Sequence, residues 1–114
     1  MVKKYIPKQG DICYMDFDPS MGHEQSGFRP CLVLSINSFN NFTKMVIVSP
    51  ITSNIKSFPT HYILNDTKKV KGAVLLEHLK SIDYDARNLK FVEKISKKEL
   101  LEINELIKVF FELN

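Results

Sequence analysis

The sequence predicts a mainly β fold closed by one helix: a small, strongly bent, barrel-like sheet with an amphipathic helix docked on it. Three observations predict this. Short runs of strand-forming residues recur between Ile12 and Ile82, each ended by proline or by a polar cluster. The apolar period then changes to three- and four-residue spacing after Ser96. The chain has 114 residues, 44% hydrophobic and 25% charged, which suits one core, so a single domain over 1–114 is expected.

Ile12-Cys13-Tyr14-Met15-Asp16-Phe17 reads as a first strand, with weak alternation because both faces are partly apolar. Asp18-Pro19 ends it. The loop from Asp18 to Arg29 holds Gly22 and Gly27, two of the chain's four glycines, and loops of this length tend to carry function. Pro30 to Ser35 is a second strand, because a first strand position tolerates a missing N–H. Asn37 to Asn41 reads as a turn. Met45 to Ser49 is a third strand, stopped by Pro50, and Thr52 to Pro59 is a second polar loop. Thr60 to Leu64 and Gly72 to Leu76 make a fourth and fifth strand around an Asn65-Asp66 turn, and Leu79 to Ile82 makes a short sixth.

Ser96-Lys97-Lys98-Glu99 fits a capping box, with Ser96 as N-cap and Glu99 at the third helical position. Leu100, Ile103, Leu106, Ile107 and Phe110 then mark a helix of about four turns. Leu101, Val109, Phe111 and Leu113 widen its apolar face, which fits deep docking or a second protein surface.

Net charge is +3, but it is unevenly spread. From residue 99 onward four glutamates face one lysine, a net of −3, so the rest of the chain carries +6 and suits an anionic partner. The two cysteines, Cys13 and Cys31, lie in apolar runs and read as free core thiols in a reducing cytoplasm. No apolar run approaches the ~18 residues of a spanning helix, and no apolar stretch follows the basic start, so neither a membrane segment nor a signal peptide is expected.

The loop from Asp18 to Arg29 gathers an imidazole, a carboxylate, an amide, hydroxyls and a guanidinium, and the loop after the third strand adds Thr52, Ser53, Asn54 and Lys56. If the two meet, Arg29 offers a planar fork of donors to phosphate, hydroxyls add short donors, and Glu24 or His23 can move a proton. His23, His61 and His78 lie far apart in sequence, and no Asp/Glu/His cluster has metal-ligand spacing, so no metal or other cofactor is expected. The metal-free route open to RNA is attack by its own 2′-OH, which also separates RNA from DNA. Each residue alone has a plainer reading. Arg29 suits a salt bridge as well as a ligand contact, Glu24 and His23 suit an exposed loop, Thr52 suits a local turn, and Tyr14 and Phe28 suit packing. Lys68, Lys69 and Lys71 are first a solvated turn and second a backbone track.

The chain resembles the MazF/PemK family of toxins from bacterial toxin–antitoxin systems. The resemblance rests on Gly10-Asp11-Ile12, Asp16-Phe17-Asp18-Pro19 and the run from Gly22 through Gln25 and Ser26 to Pro30. It continues in Leu32-Val33-Leu34-Ser35, Asn40-Asn41, Pro50-Ile51-Thr52-Ser53, Lys80-Ser81-Ile82-Asp83 and Ala86-Arg87. It implies an SH3-like β-barrel with a C-terminal α-helix, assembled as a homodimer. It implies a metal-independent, sequence-specific endoribonuclease that cuts single-stranded RNA, chiefly mRNA, leaving 2′,3′-cyclic phosphate and 5′-OH ends. A cognate, MazE-like antitoxin would neutralise it by laying an acidic tail across the RNA site. The family's key arginine, threonine and loop glutamate fall on Arg29, Thr52 and Glu24. The general base is Glu24 or His23. Gln25, Ser53 and Lys56, with His23, Glu77 and His78, are the implied RNA contacts.

Glu77-His78 replaces a more usual Asp-Gln pair, Tyr14 stands near a frequent Trp, and His61-Tyr62 replaces a Phe-acid pair. These departures bear on the target sequence more than on the reaction class. The competing reading keeps the barrel and drops catalysis, leaving a protein that binds DNA gyrase or RNA.

Overall fold

The computed structural model describes residues 4–18, 21–23 and 27–112. In chain order it contains β1 (Asp11–Asp16), β2 (Phe28–Val33), α1 (Asn37–Thr43), β3 (Met45–Thr52), β4 (His61–Ile63) and β5 (Ala73–Leu75). A 3₁₀ turn (Leu76–His78), β6 (Lys80–Asp83), β7 (Lys90–Lys94) and α2 (Lys97–Phe111) follow. The strands run in the order β4-β5-β3-β2-β1-β7, with β6 also paired to β3, and every pairing is antiparallel. The predicted mainly β fold with a C-terminal helix is what the chain forms.

The weak alternation of the first strands has a direct cause: the sheet is buried on both faces. Ile12, Leu32 and Ile51 point to one core, where Ile103, Leu100, Leu106 and Ile107 of α2 pack. Their strand neighbours Cys13, Met15, Cys31, Val33, Val46 and Val48 point to the other, closed by Phe17, Ile82, Tyr84 and Leu89. Cys13 and Cys31 are opposite each other in the β1–β2 register, and both are free. Burial pushes the Cys13 thiol up to about 11 and the Cys31 thiol higher still, so neither offers a thiolate at neutral pH.

β3 does not stop at Pro50 but continues to Thr52. One edge of β3 pairs with β6 through Val48 and with β5 from Ile51. Pro50 falls in the gap between those partners, where a missing N–H costs no ladder bond.

The expected turn at Asn37 to Asn41 is instead the start of α1, which ends at Lys44 with φ +61°. Its polar composition concealed the buried anchor that holds it. Asn40 is fully buried and donates to the carbonyls of Pro7 at 2.8 Å and Ser35 at 3.2 Å, while its own carbonyl oxygen accepts from the Ser35 hydroxyl. β7 was not foreseen either. Three of its five residues are charged, as suits an edge strand, and that obscures the Phe91-Val92 signal.

Ser96 caps α2 as expected, accepting from Glu99 N–H at 3.1 Å. The second half of the expected capping box is replaced. Glu99 is only 2% exposed, and its carboxylate accepts from the N–H groups of Asn65 at 2.9 Å and Asp66 at 3.2 Å. Ser96 Oγ in turn donates to Asp66 Oδ2 at 2.9 Å. The helix start is therefore bolted to the β4–β5 connection. Glu99→Ala removes the acceptor of two part-buried N–H groups, so it should cost about 2 kcal/mol. Urea unfolding checks this, and a loss below about 1 kcal/mol contradicts the anchoring role.

Candidate active site

Two connections meet at one end of the β1–β2–β3 sheet. The first is the β1–β2 loop, whose neck is tightly bonded. Phe17 N–H donates to the Gly27 carbonyl at 2.9 Å, and Gly27 N–H donates to Asp18 Oδ1 at 3.1 Å. Gly27 sits at φ +82°, a conformation that favours glycine. Arg87 spans the other side of the neck, donating from Nη1 to the carbonyls of Asp16 at 3.0 Å and Asp18 at 2.6 Å. His23 is exposed within the loop, and Glu24 and Gln25 lie outside the described residues.

The second connection leaves the end of β3. The β2–β3 register runs Val33↔Val48, Leu32↔Ser49, Cys31↔Pro50. Beyond that last pair Arg29 stays paired with Met15 of β1, and Thr52 pairs instead with Ala73 of β5. Arg29 and Thr52 are both half-buried. The Thr52 hydroxyl accepts from Asn54 N–H at 3.2 Å, which shapes the turn and leaves the hydroxyl proton available to a ligand. Its partner Ala73 follows Gly72, which sits at φ +143°. A Cβ on Gly72 would lie 2.2 Å from the Thr52 carbonyl oxygen. Only glycine lets the two backbones approach this closely.

At Arg29 lies a cleft of about 580 Å³. Arg29, Lys69 and Lys71 supply three cations to it, Ser53 a hydroxyl, and Tyr14 and Phe28 an aromatic wall. The Tyr14 and Phe28 rings stack at 5.3 Å between centroids, 12° from parallel. Thr52 is flanked by two lining residues, Ile51 and Ser53. No carboxylate lines the cleft among the described residues. Three cations with stacking faces and hydroxyls are a set whose chemistry suits a polyanion that carries planar rings.

The family model described as a PemK-like, MazF-like toxin of type II toxin–antitoxin systems matches residues 8–111. The chain belongs to the MazF/PemK toxin family. It is 37% identical over 109 residues to the endoribonuclease toxin MazF of Escherichia coli strain K12, covering 96% of this chain and 97% of that protein. It is 35% identical over 119 residues to the endoribonuclease toxin ChpB of the same strain, covering 94% and 99%. Among solved structures, MazF from Deinococcus radiodurans superposes with a TM-score of 0.88 at 31% identity, covering 96% of this chain and 99% of that one. A MazE–MazF structure from the same organism superposes at 0.84 with 31% identity, covering 97% and 100%.

Not all implied contact residues of this family member sit together. Arg29 and Ser53 share the cleft, with Thr52 adjoining. Lys56 is exposed on the β3–β4 connection, and its carbonyl accepts from His61 Nδ1 at 3.2 Å. Glu77 lies in a separate groove with Thr60 and Phe110. Its carboxylate accepts from Thr60 Oγ1 at 2.9 Å and meets His61 Nε2 at 2.8 Å. Burial pushes the Glu77 pKa up, but bonds from its own N–H, His61 and Thr60 outweigh that and hold it below 4.5. His78, half-buried, ends the 3₁₀ turn. Sequence reasoning did not place Lys69 and Lys71 in the cleft and missed the roles of Gly72 and Arg87. Tertiary approach decides all four, and a glycine heading a strand was the one local sign.

Among the described residues, no group of three or more His, Cys, Asp or Glu side chains comes together as a metal site would need. Gly72→Ala should destabilise the fold by about 2 kcal/mol through overpacking and lower activity beyond the loss of folded protein. Chemical denaturation with activity per folded molecule checks this, and full activity in the folded fraction contradicts a role for Gly72 in placing Thr52.

Proposed function

We propose that this toxin is a metal-independent, sequence-specific endoribonuclease that cuts single-stranded RNA, chiefly mRNA. The 2′-OH attacks the adjacent phosphorus, the P–O5′ bond breaks, and the ends are a 2′,3′-cyclic phosphate and a 5′-hydroxyl. The observation that carries this reading is the cationic, aromatic-walled cleft lined by Arg29 and Ser53, with Thr52 next to Ser53 in the chain. The relatives named as endoribonuclease toxins support it.

The proposed roles follow from charge. Arg29 stabilises the negative charge that grows on the phosphorane oxygens, where a fixed guanidinium acts most strongly in the transition state. The Thr52 hydroxyl donates to the scissile phosphate. Glu24 takes the 2′-OH proton, with His23 as the other candidate base, and the Arg29 guanidinium hands a proton to the leaving 5′-oxygen as it departs. Gln25, Ser53 and Lys56 hold the RNA, and His23, Glu77 and His78 add contacts along it. No cofactor enters the scheme.

A MazE-like antitoxin is the proposed inhibitor, supported by the MazE–MazF structure of the Deinococcus relative. A homodimer is the proposed assembly. It is supported by apolar side chains left in solvent on α2: Leu101 at 56%, Val109 at 69% and Phe111 at 59% exposure. A single domain acting in the cytoplasm completes the proposal. No helix among the described residues is long and apolar enough to cross a membrane.

Purified protein in EDTA should cut a long single-stranded RNA, and Arg29→Ala should bind it while cleaving about a hundredfold more slowly. Absence of cleavage by the wild type, or full cleavage by Arg29→Ala, overturns the reading.

The pH profile identifies the base. An unperturbed glutamate titrates near about 4.3 and a histidine near about 6.5. With Glu24 as base, cleavage falls only on acidification below about pH 5, and Glu24→Gln is the damaging change. Loss of cleavage in His23→Ala, with Glu24→Gln still active, transfers the role to His23.

A further inference from the structure

Lys69 and Lys71 belong to the connection between β4 and β5, and three lysines in four residues, 68 to 71, would ordinarily splay into solvent. Here the backbone beneath them is held from other elements. Glu99 accepts from Asn65 and Asp66, as described. Glu93 of β7 accepts from the next run of N–H groups: Lys68 at 2.9 Å, Lys69 at 2.8 Å and Val70 at 2.7 Å. Burial raises the Glu93 pKa, but these three bonds and the nearby Lys69 charge outweigh it and hold the carboxyl below 4.5. Thr67 Oγ1 donates to the Val70 carbonyl at 2.5 Å, Lys71 Nζ donates to the Thr67 carbonyl, and Val70 packs into the helix-side core.

The lysines therefore stand on a fixed platform, and both line the Arg29 cleft. Among the described residues no carboxylate lies within ion-pair distance of the Lys69 ammonium. The Glu93 carboxylate is turned to backbone N–H groups.

We propose that Lys69 and Lys71 form a second phosphate subsite in the Arg29 cleft, gripping a phosphate beside the scissile one, and that Glu93 is its positioning residue. This rests on the ribonuclease reading for the identity of the polyanion. The chemistry is that of phosphate capture: point charges contribute affinity without touching the reacting atoms. Binding energy of this kind is felt in KM and leaves kcat alone. The two stacked rings on the same cleft give the intervening base a surface to rest on.

The probe is a fluorescent 2′-O-methyl RNA oligonucleotide of mixed sequence, which keeps every phosphate and lacks the nucleophile. Its affinity is measured against salt for the wild type, Lys69→Ala/Lys71→Ala and Glu93→Gln. Each lost phosphate contact lowers the slope of log affinity against log salt by about 0.7, so the double variant should be shallower by about 1.4. On cleavable RNA its KM should rise at least about tenfold with kcat within about twofold, the reverse of the Arg29→Ala pattern. Glu93→Gln should reproduce the KM rise in part, with a folded fraction confirmed by thermal unfolding.

An unchanged slope and KM in the double variant, with wild-type cleavage intact, overturns the subsite and leaves the ribonuclease reading standing. A wild type that cuts no RNA overturns the ribonuclease reading. In that case the slope difference on the uncleavable probe still decides the subsite, its presence supporting phosphate capture and its absence refuting it. Both lysines are exposed, but Lys71→Ala also removes the bond to the Thr67 carbonyl, so thermal unfolding is read for the double variant as well.

Discussion

The antiparallel register between β2 and β3 is the constraint on which the site depends. Cys31 opposite Pro50 is deep in the sheet, and its position is enforced by apolar packing on both faces. A slip of one residue would swap the two cores, sending Cys31 and Val33 toward α2 and Leu32 away from it. Because that is so costly, the strand ends inherit a fixed relation. Arg29 and Thr52 lie two positions beyond the last β2–β3 pair, and each is still held in a ladder, Arg29 to Met15 of β1 and Thr52 to Ala73 of β5. A guanidinium held by a packed strand is fixed before any ligand arrives, which is what preorganised electrostatic stabilisation requires.

Carboxylates supply a second layer of order. Glu93 and Glu99 come from the last strand and the last helix, yet both place their oxygens on backbone N–H groups of the β4–β5 connection. Five N–H groups between residues 65 and 70 are satisfied this way. A connection of this composition, rich in lysine and without regular structure, would otherwise leave them to water. Gly72 follows at once and brings the chain against Thr52. The lysine platform, the close glycine and the strand-end threonine are thus consecutive parts of one rigid path.

What was legible in the sequence follows the same division. Strands made of β-branched and aromatic residues were found because their signal is local, although Pro50 cut one short. The helix was found from its period and its Ser96 cap. α1 was hidden because its stability comes from one buried amide, Asn40, that bonds to residues before the helix. β7 was hidden by the charges that suit an edge. At the site, Arg29, Thr52 and Ser53 could be named from motif and residue type. Nothing local to Glu93 announces three backbone acceptor bonds. The lysines looked like an ordinary solvated turn because the groups that fix them lie more than twenty residues away.

The placement of charge also changes the meaning of the acidic C-terminal segment. Its four glutamates do not form one negative surface, since Glu99 is buried among N–H donors and only the others face solvent. Glu93, although close to the lysines, is likewise occupied. A carboxylate has about four lone-pair sites, and three are taken here by backbone. Such an anion orders the loop without competing as a free ligand for the ammonium groups. The fold can then place a negative charge beside a cationic cleft, where it stiffens the lysines' backbone without adding a carboxylate to the lining seen among the described residues.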